Sequence, residues 1–175
     1  MEPWEEYPDI WSTKAKFFSY LRGNLRRAVW NRWPGKIRLK SQQCSPPPEG
    51  MVTRARTGTE CALTGEWQGK SRLEVDHIEG NVSLNDWEDV VPFIQHLCAP
   101  MDNLQLVSKE AHKIKSYAEK HGLSFEEAAV KKEFIKFKKL SKKAKLLALD
   151  IKHPTVVAAV RVKDLDDEWW RRYGY

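Results

Sequence analysis

The sequence predicts an α+β protein, mainly helical, with a small strand–loop–strand–helix core between a basic N-terminal helical arm and a Lys-rich C-terminal helix. Three observations lead to that class. Apolar residues recur at spacings of four and three through Trp11, Ala15, Phe18, Leu21, Leu25 and Val29, which marks one face of a helix. Arg72-Leu73-Glu74-Val75-Asp76 alternates as a strand does, and Leu104-Gln105-Leu106-Val107 is a second short strand. Ser108, and then Ser124 with Glu127 at the third position after it, are start signals for the helices that follow. The chain has 175 residues, which fits one domain, or one domain with a sizeable appendage, and a core that needs no covalent staples.

The elements follow in order. Residues 1–45 form the aromatic and basic arm, with Ser12 as its candidate cap and Trp33-Pro34-Gly35 as its end, because proline restricts the residue before it. Residues 46–57 start with Pro46-Pro47-Pro48-Glu49-Gly50, an extended run that cannot join a ladder and reads as a linker or a long loop. Residues 58–122 read as the compact core. Within it Ile78-Glu79-Gly80-Asn81 breaks the first strand, and Asn85 with Glu88 resembles a capping box for a helix through Trp87, Val90 and Val91. Pro92 kinks that helix or opens a second through Phe93, Ile94 and Leu97. The helix after the second strand runs over Ala111, Lys115 and Ala118 and stops at Gly122. Residues 123–175 read as one long helix to about Ile151, followed by the tail Trp169-Trp170-Arg171-Arg172-Tyr173-Gly174-Tyr175, an aromatic latch without clear periodicity.

Charge is segregated along the chain. The 30 Lys and Arg against 24 Asp and Glu leave a net +6, but residues 11–40 carry nine basic residues and no acid. Residues 73–108 carry seven acids (Glu74, Asp76, Glu79, Asp86, Glu88, Asp89 and Asp102) and no Lys or Arg, and residues 131–145 hold eight lysines against one Glu. Thirty residues without an acid exceed what solubility requires, so the arm reads as a phosphate-facing surface, the plainer alternative being a solvated basic face on a helix packed to the core. The lysines of 131–145 are dense enough to demand an exposed face. No apolar run is long enough to span a bilayer, and the acidic start (Glu2, Glu5, Glu6, Asp9) argues against a signal peptide. Three widely spaced cysteines form no disulfide framework and suit a reducing cytosol. Cys44 reads as a linker thiol and Cys98 as a small core residue.

The acidic centre holds the chemistry. Asp76-His77 ends one strand, Asn103 begins the next, and His112 lies in the first turns of the following helix. One short hairpin and one helix can therefore bring a carboxylate and two imidazoles together. A carboxylate and an imidazole can hold a divalent cation with positions left open for water and substrate oxygens. A second imidazole, neutral near pH 7, can take a proton from an attacking water. The acids would otherwise repel one another and any nucleic acid, and a bound cation relieves that. His96, His121 and His153 have no such context and read as structural or solvent-facing. Most Trp residues read as core, with Trp30 and Trp33 among arginines placed to lie along a sugar–phosphate edge.

Leu73-Glu74-Val75-Asp76-His77-Ile78, Asp102-Asn103-Leu104-Gln105-Leu106-Val107 and Ala111-His112-Lys113-Ile114-Lys115-Ser116 together resemble the three parts of the HNH endonuclease motif, the ββα-metal fold. The step from Asn103 to His112 matches the family's step. The insert Asp86-Trp87-Glu88-Asp89-Val90-Val91-Pro92-Phe93-Ile94 is similar to that of HNH proteins from T7-like phages. So is the arm, in Ser19-Tyr20-Leu21-Arg22-Gly23-Asn24-Leu25-Arg26-Arg27 and Trp30-Asn31-Arg32-Trp33-Pro34. The resemblance covers roughly residues 17–120. It implies His77 as general base, and Asp76 and His112 as ligands of one divalent ion, Mg2+ or alternatively Mn2+ or another divalent cation. It implies Asn103 as the brace of the loop carrying His77; in some members the matching Asn contacts the metal, and both roles stay open here. It also implies double-stranded DNA as partner. The basic arm offers Arg22, Arg26, Arg27, Arg32, Lys36 and Arg38 as contacts, and Lys115, just past His112, reads either as a phosphate contact or as a solvated lysine.

Many members of the family carry a structural zinc between two Cys-x-x-Cys pairs. Here the corresponding positions are Cys61, Thr64, Ser108 and Ala111, so three of four ligands are absent and no structural zinc is expected. Packing by Leu63, Trp67, Trp87 and Ile94 is the expected substitute. The resemblance points to a homing-type phage nuclease acting in the cytoplasm of a bacterial host, with no membrane partner, as monomer or dimer. The alternatives are a packaging-associated nuclease and a catalytically silent DNA-binding protein that keeps the fold. An RNA-binding protein using the Lys-rich helix has no stacking module to support it.

Overall fold

Local sequence signals set the element boundaries of the computed structural model, which describes residues 1–80, 82–152 and 160–174. The readings that involve Asn81, His153 and Tyr175 lie outside the described residues. A first turn, α1 (Pro3–Glu6), precedes α2 (Lys14–Ala28), whose cap is Thr13 rather than Ser12: the Thr13 hydroxyl accepts the Lys16 amide. The arm does not end at Trp33-Pro34-Gly35. The chain makes a 3₁₀ turn over Trp30–Arg32 and Pro34 then opens α3 (Pro34–Gln42), since proline at the first helical position forfeits no hydrogen bond there. Ala15 is exposed, and Phe17 joins Phe18 as the buried pair.

Two short antiparallel pairs follow. β1 (Gly58–Glu60) pairs with β2 (Trp67–Gly69), an element the sequence did not suggest. Backbone bonds in both directions between Ser45 and Gly58 pin the two ends of the Pro-rich stretch together, so residues 46–57 leave and return at one point as a closed loop. β3 (Leu73–His77) pairs with β4 (Leu104–Ser108) in the register Leu73↔Ser108 to His77↔Leu104. Between them lies α4 (Val90–Leu97), whose N-cap position is Asp89 rather than Asn85; the Asp89 carboxylate makes no cap bond to the helix and accepts the amides of Asn85 and Asp86 instead. Pro92 sits in the first turn and causes no break.

α5 (Lys109–His121) starts directly after β4 and ends at Gly122, whose φ of +62° is the left-handed stop expected of glycine. The long helix predicted from Ser124 is two: α6 (Phe125–Lys138), with the Ser124/Glu127 capping box, and α7 (Lys142–Ala148), capped by Ser141. The aromatic tail is helical, α8 (Val162–Tyr173). The chain is thus α+β and mainly helical, and among the described residues no helix is long and apolar enough to cross a membrane.

The residues form two compact units, Met1–His112 and Lys113–Tyr175. In the first, Leu39, Leu73, Val75, Ala99, Leu104 and Leu106 form one core, and Phe17, Phe18, Leu84, Phe93 and Leu97 a second. The arm therefore belongs to the same body as the hairpin: α2 buries its aromatic face on the insert that carries α4. Trp4, Trp11 and Trp87 edge onto Phe17 and Phe18. In the second unit Phe137, Leu146, Leu149 and Leu165 are the core. Lys145 departs from the expected exposed lysine face; it is 1% exposed and paired with Asp166.

Phe93 is fully buried where arm and insert meet, at 0% exposure. Phe93→Ala is expected to cost about 3–5 kcal/mol in urea unfolding, through lost burial and the cavity left behind. A loss below about 1 kcal/mol would mean that the arm does not pack as described.

Candidate active site

Alternation along β3 sends Leu73, Val75 and His77 to the buried face and leaves Glu74 and Asp76 half-buried on the other. Because α5 follows β4 without a loop, His112 is held close to the strand pair. The Ser108 hydroxyl accepts the Ala111 amide at 3.0 Å and fixes that first turn. His112 Nδ1 lies 2.8 Å from Glu74 Oε2, and Nε2 lies 3.5 Å from Asp76 Oδ1. Gln105, opposite Asp76 in the register, donates to Asp76 Oδ2 at 3.2 Å.

The donor chemistry follows from these contacts. A carboxylate only accepts, so Nδ1 of His112 carries its hydrogen and the neutral ring keeps its lone pair on Nε2, turned toward Asp76 Oδ1. Nε2 and Asp76 Oδ1 can be bridged by a proton, as an ion pair, or by a cation lying against both. A carboxylate behind the far ring nitrogen is the arrangement that orients a metal-ligating imidazole and raises its basicity. Among the described residues no group of three or more His, Cys, Asp or Glu side chains is arranged to hold a metal. The pair fits a cation that takes two protein ligands and keeps its other positions for water and phosphate oxygens.

His77 leaves β3 on the opposite face and is 8% exposed. Its ring is stacked between Trp30, at 4.5 Å between centroids, and His96, at 3.7 Å. Nε2 lies 2.8 Å from the His96 carbonyl, which can only accept, so in the neutral ring Nε2 donates and the lone pair resides on Nδ1. Asn103 ends the 3₁₀ turn before β4. Its side-chain oxygen accepts the Glu79 amide at 2.9 Å, its Nδ2 donates to the Glu79 carbonyl at 3.4 Å, and its own carbonyl accepts the Ile78 amide at 2.9 Å. Of the two roles left open for Asn103, these contacts are those of a brace on the turn after His77.

The basic residues divide. Arg32 and Arg38 are exposed, Arg22 is half-buried, and Arg27 donates to Asn24. Arg26 lies over the Phe93 ring; burial, then the neighbouring Arg22, lowers its pKa from the ordinary arginine value. Lys36 lies over the Trp30 ring at 4.6 Å, and burial, then nearby Lys40, lowers its pKa. Lys115, in the second unit, is 15% exposed at its side chain and faces Glu119 at 3.5 Å. Asp86, one of the seven acids, is paired with Lys14 of the arm, so the acidic centre is partly compensated from within the chain.

The positions matching the absent zinc ligands are joined by hydrogen bonds. Cys61 Sγ accepts the Ser108 amide at 3.2 Å, and the Ala62 amide donates to the Leu106 carbonyl. Burial raises the Cys61 pKa, but hydrogen bonds from the Thr64 side chain and from the Ser108, Leu63 and Thr64 backbones outweigh it and hold the thiol below its ordinary value. The expected substitute, packing that includes Trp87, is corrected: Trp87 lies against Phe17 and Phe18 instead. Cys44 packs on the hairpin core rather than standing free in a linker.

Comparison with protein-family models, curated proteins and solved structures finds no match. The sequence reading missed Glu74 and His96 at this site. Glu74 was legible, since it precedes Asp76 by two in a strand and must share its face. His96 acts here through its carbonyl and ring stacking, for which a sequence carries no signal.

Asn103→Ala is expected to speed hydrogen exchange at the Glu79 amide, as that donor loses its acceptor. Unchanged protection by NMR would show that Asn103 does not brace the turn.

Proposed function

We propose that this chain is a metal-dependent DNA endonuclease of the HNH type. The observation that carries the reading is the pair of oppositely held imidazoles: His112, backed by Glu74 and turned to Asp76, and His77, fixed through Nε2 by a backbone carbonyl. Asp76 and His112 hold one divalent cation, which when bound supplies charge neutralisation at the phosphate oxygens and the leaving 3′-oxygen. His77 takes a proton from water as the water oxygen bonds to phosphorus and the bond from phosphorus to the 3′-oxygen breaks.

Displacement at phosphorus is in line, so the attacking and leaving oxygens need help on opposite sides. In the proposed reaction the two sides are assigned to Asp76 and His77, adjacent residues at the end of β3. Asn103 keeps the turn after His77 in place, and the exposed Arg32 and Arg38 contribute phosphate contacts along the duplex. A homing enzyme needs its own site, so phage genomic DNA is a substrate to test beside plasmid.

Purified protein with supercoiled plasmid and Mg2+ is expected to give nicked or linear product that EDTA abolishes. His77→Ala is expected to lower the rate by about 10²–10⁴-fold while DNA binding persists. Intact plasmid and intact phage DNA across Mg2+, Mn2+ and Ni2+ would sink the nuclease reading. Tight binding without cutting would leave the catalytically silent DNA-binding protein in its place.

A further inference from the structure

Next to His112 is a cavity of about 390 Å³ that the ββα elements do not build alone. Its cations are Lys36 and Lys40 from α3 and Lys109 from the start of α5; Glu74 is the acid on its wall, with Trp30 and His112 beside it. Lys40 is anchored, its ammonium donating to the Leu73 carbonyl at 2.8 Å. Lys36 is held over Trp30, the same ring that stacks on His77. Glu74 is engaged by His112. Three ammonium groups against one carboxylate leave an excess of two positive charges around a space walled partly by Trp30, Leu73 and Val75. Like charges crowd there: burial, then the neighbouring Lys40, lowers the Lys36 pKa. A group with negative oxygens and no apolar bulk relieves that crowding, and ammonium groups bind phosphate as point charges without demanding a fixed fork geometry.

We propose that this cavity is a seat for one phosphate of a nucleic-acid strand, distinct from the phosphate that is cut, with Lys36, Lys40 and Lys109 as its cationic contacts. The proposal rests on the nuclease reading only for the identity of the strand. The seat sits beside His112 and against the Trp30 ring that stacks on His77, so a phosphate anchored there sets the register of the strand beside His112. The shared ligand chemistry is a phosphate oxyanion, which a continuous strand offers as an internal diester and a strand end as a terminal monoester.

The test uses the full chain in EDTA, where nothing is cut. Binding of a fluorescent duplex is followed against salt for wild type, for Lys36→Gln/Lys109→Gln, and for the charge-matched exposed pair Lys120→Gln/Lys163→Gln. Loss of one seat should make the slope of log K against log salt shallower by about 0.9 in the first variant and leave it unchanged in the second. Lysine side-chain NMR signals are then followed with the dinucleotide dTpT, which carries only an internal diester, and with thymidine 5′-phosphate. Shifts of Lys36, Lys40 and Lys109 with dTpT support the backbone seat; shifts with the monophosphate alone overturn it in favour of a strand end. An unchanged slope together with unmoved lysine signals overturns the seat altogether. The cleavage assay remains independent: a negative plasmid result beside positive lysine shifts removes the nuclease reading and leaves the seat standing.

Discussion

The register of β3 on β4 is the constraint on which the site depends. Val75 faces Leu106 and Asp76 faces Gln105, and side chains alternate with a period of two. Moving one strand by a single residue would turn Leu73, Val75 and His77 outward and bury Glu74 and Asp76 against Leu39 and Leu104. The burial of two carboxylates on an apolar face makes that slip costly. The register that hides the apolar residues is therefore the one that presents Glu74 and Asp76 to His112. Ser108 finishes the arrangement: it ends the ladder, caps α5 and donates its amide to Cys61, so strand, helix and the β1–β2 turn are fixed at one residue.

The arm solves a different problem with the same residues. A two-stranded hairpin cannot bury both faces alone. α3 supplies Leu39 to the hairpin core, and α2 supplies Phe17 and Phe18 to the insert. The cations on those helices keep their stems on apolar surface and their charges beyond it, as Arg26 does over Phe93 and Lys36 over Trp30. A helix packed to the core and a basic surface are thus two faces of one element. The net +6 is the residue of that separation, because the arm brings positive charge to a centre whose acids are partly taken up, Asp86 by Lys14 and Glu74 by His112.

Much of this was legible in the sequence. The alternation at 72–76, the Ser108 start, the Gly122 stop and the Ser124/Glu127 box each name a local preference that tertiary structure kept. Pro34 was misread because proline both ends and begins helices, and only the neighbouring elements decide which. The break at Leu140-Ser141 was hidden because Lys, Ala and Leu favour helix throughout, while Ser141 caps as readily as it continues. β1, β2 and the Cys61–Ser108 contact were invisible because three-residue strands have too little period to detect. The stack of His77 between Trp30 and His96 joins positions remote in sequence, and the carbonyl that fixes His77 belongs to no motif.

The two imidazoles differ in what holds them, and that difference sorts their roles in the proposed reaction. Each is gripped through one nitrogen by a group that only accepts, so each has a determined tautomer with its lone pair on the other nitrogen. His112 is gripped by an anion, Glu74, which pushes electron density toward Nε2 and suits a ligand facing a cation. His77 is gripped by a neutral carbonyl and clamped between rings on both faces, which fixes its plane and its tautomer. A base needs that: a ring that does not turn away while the proton moves. Exchanging the two environments would put the anionic partner behind the base and the neutral one behind the ligand. The sequence distinguishes His77 from His112 only by position; the groups behind their far nitrogens distinguish them by chemistry.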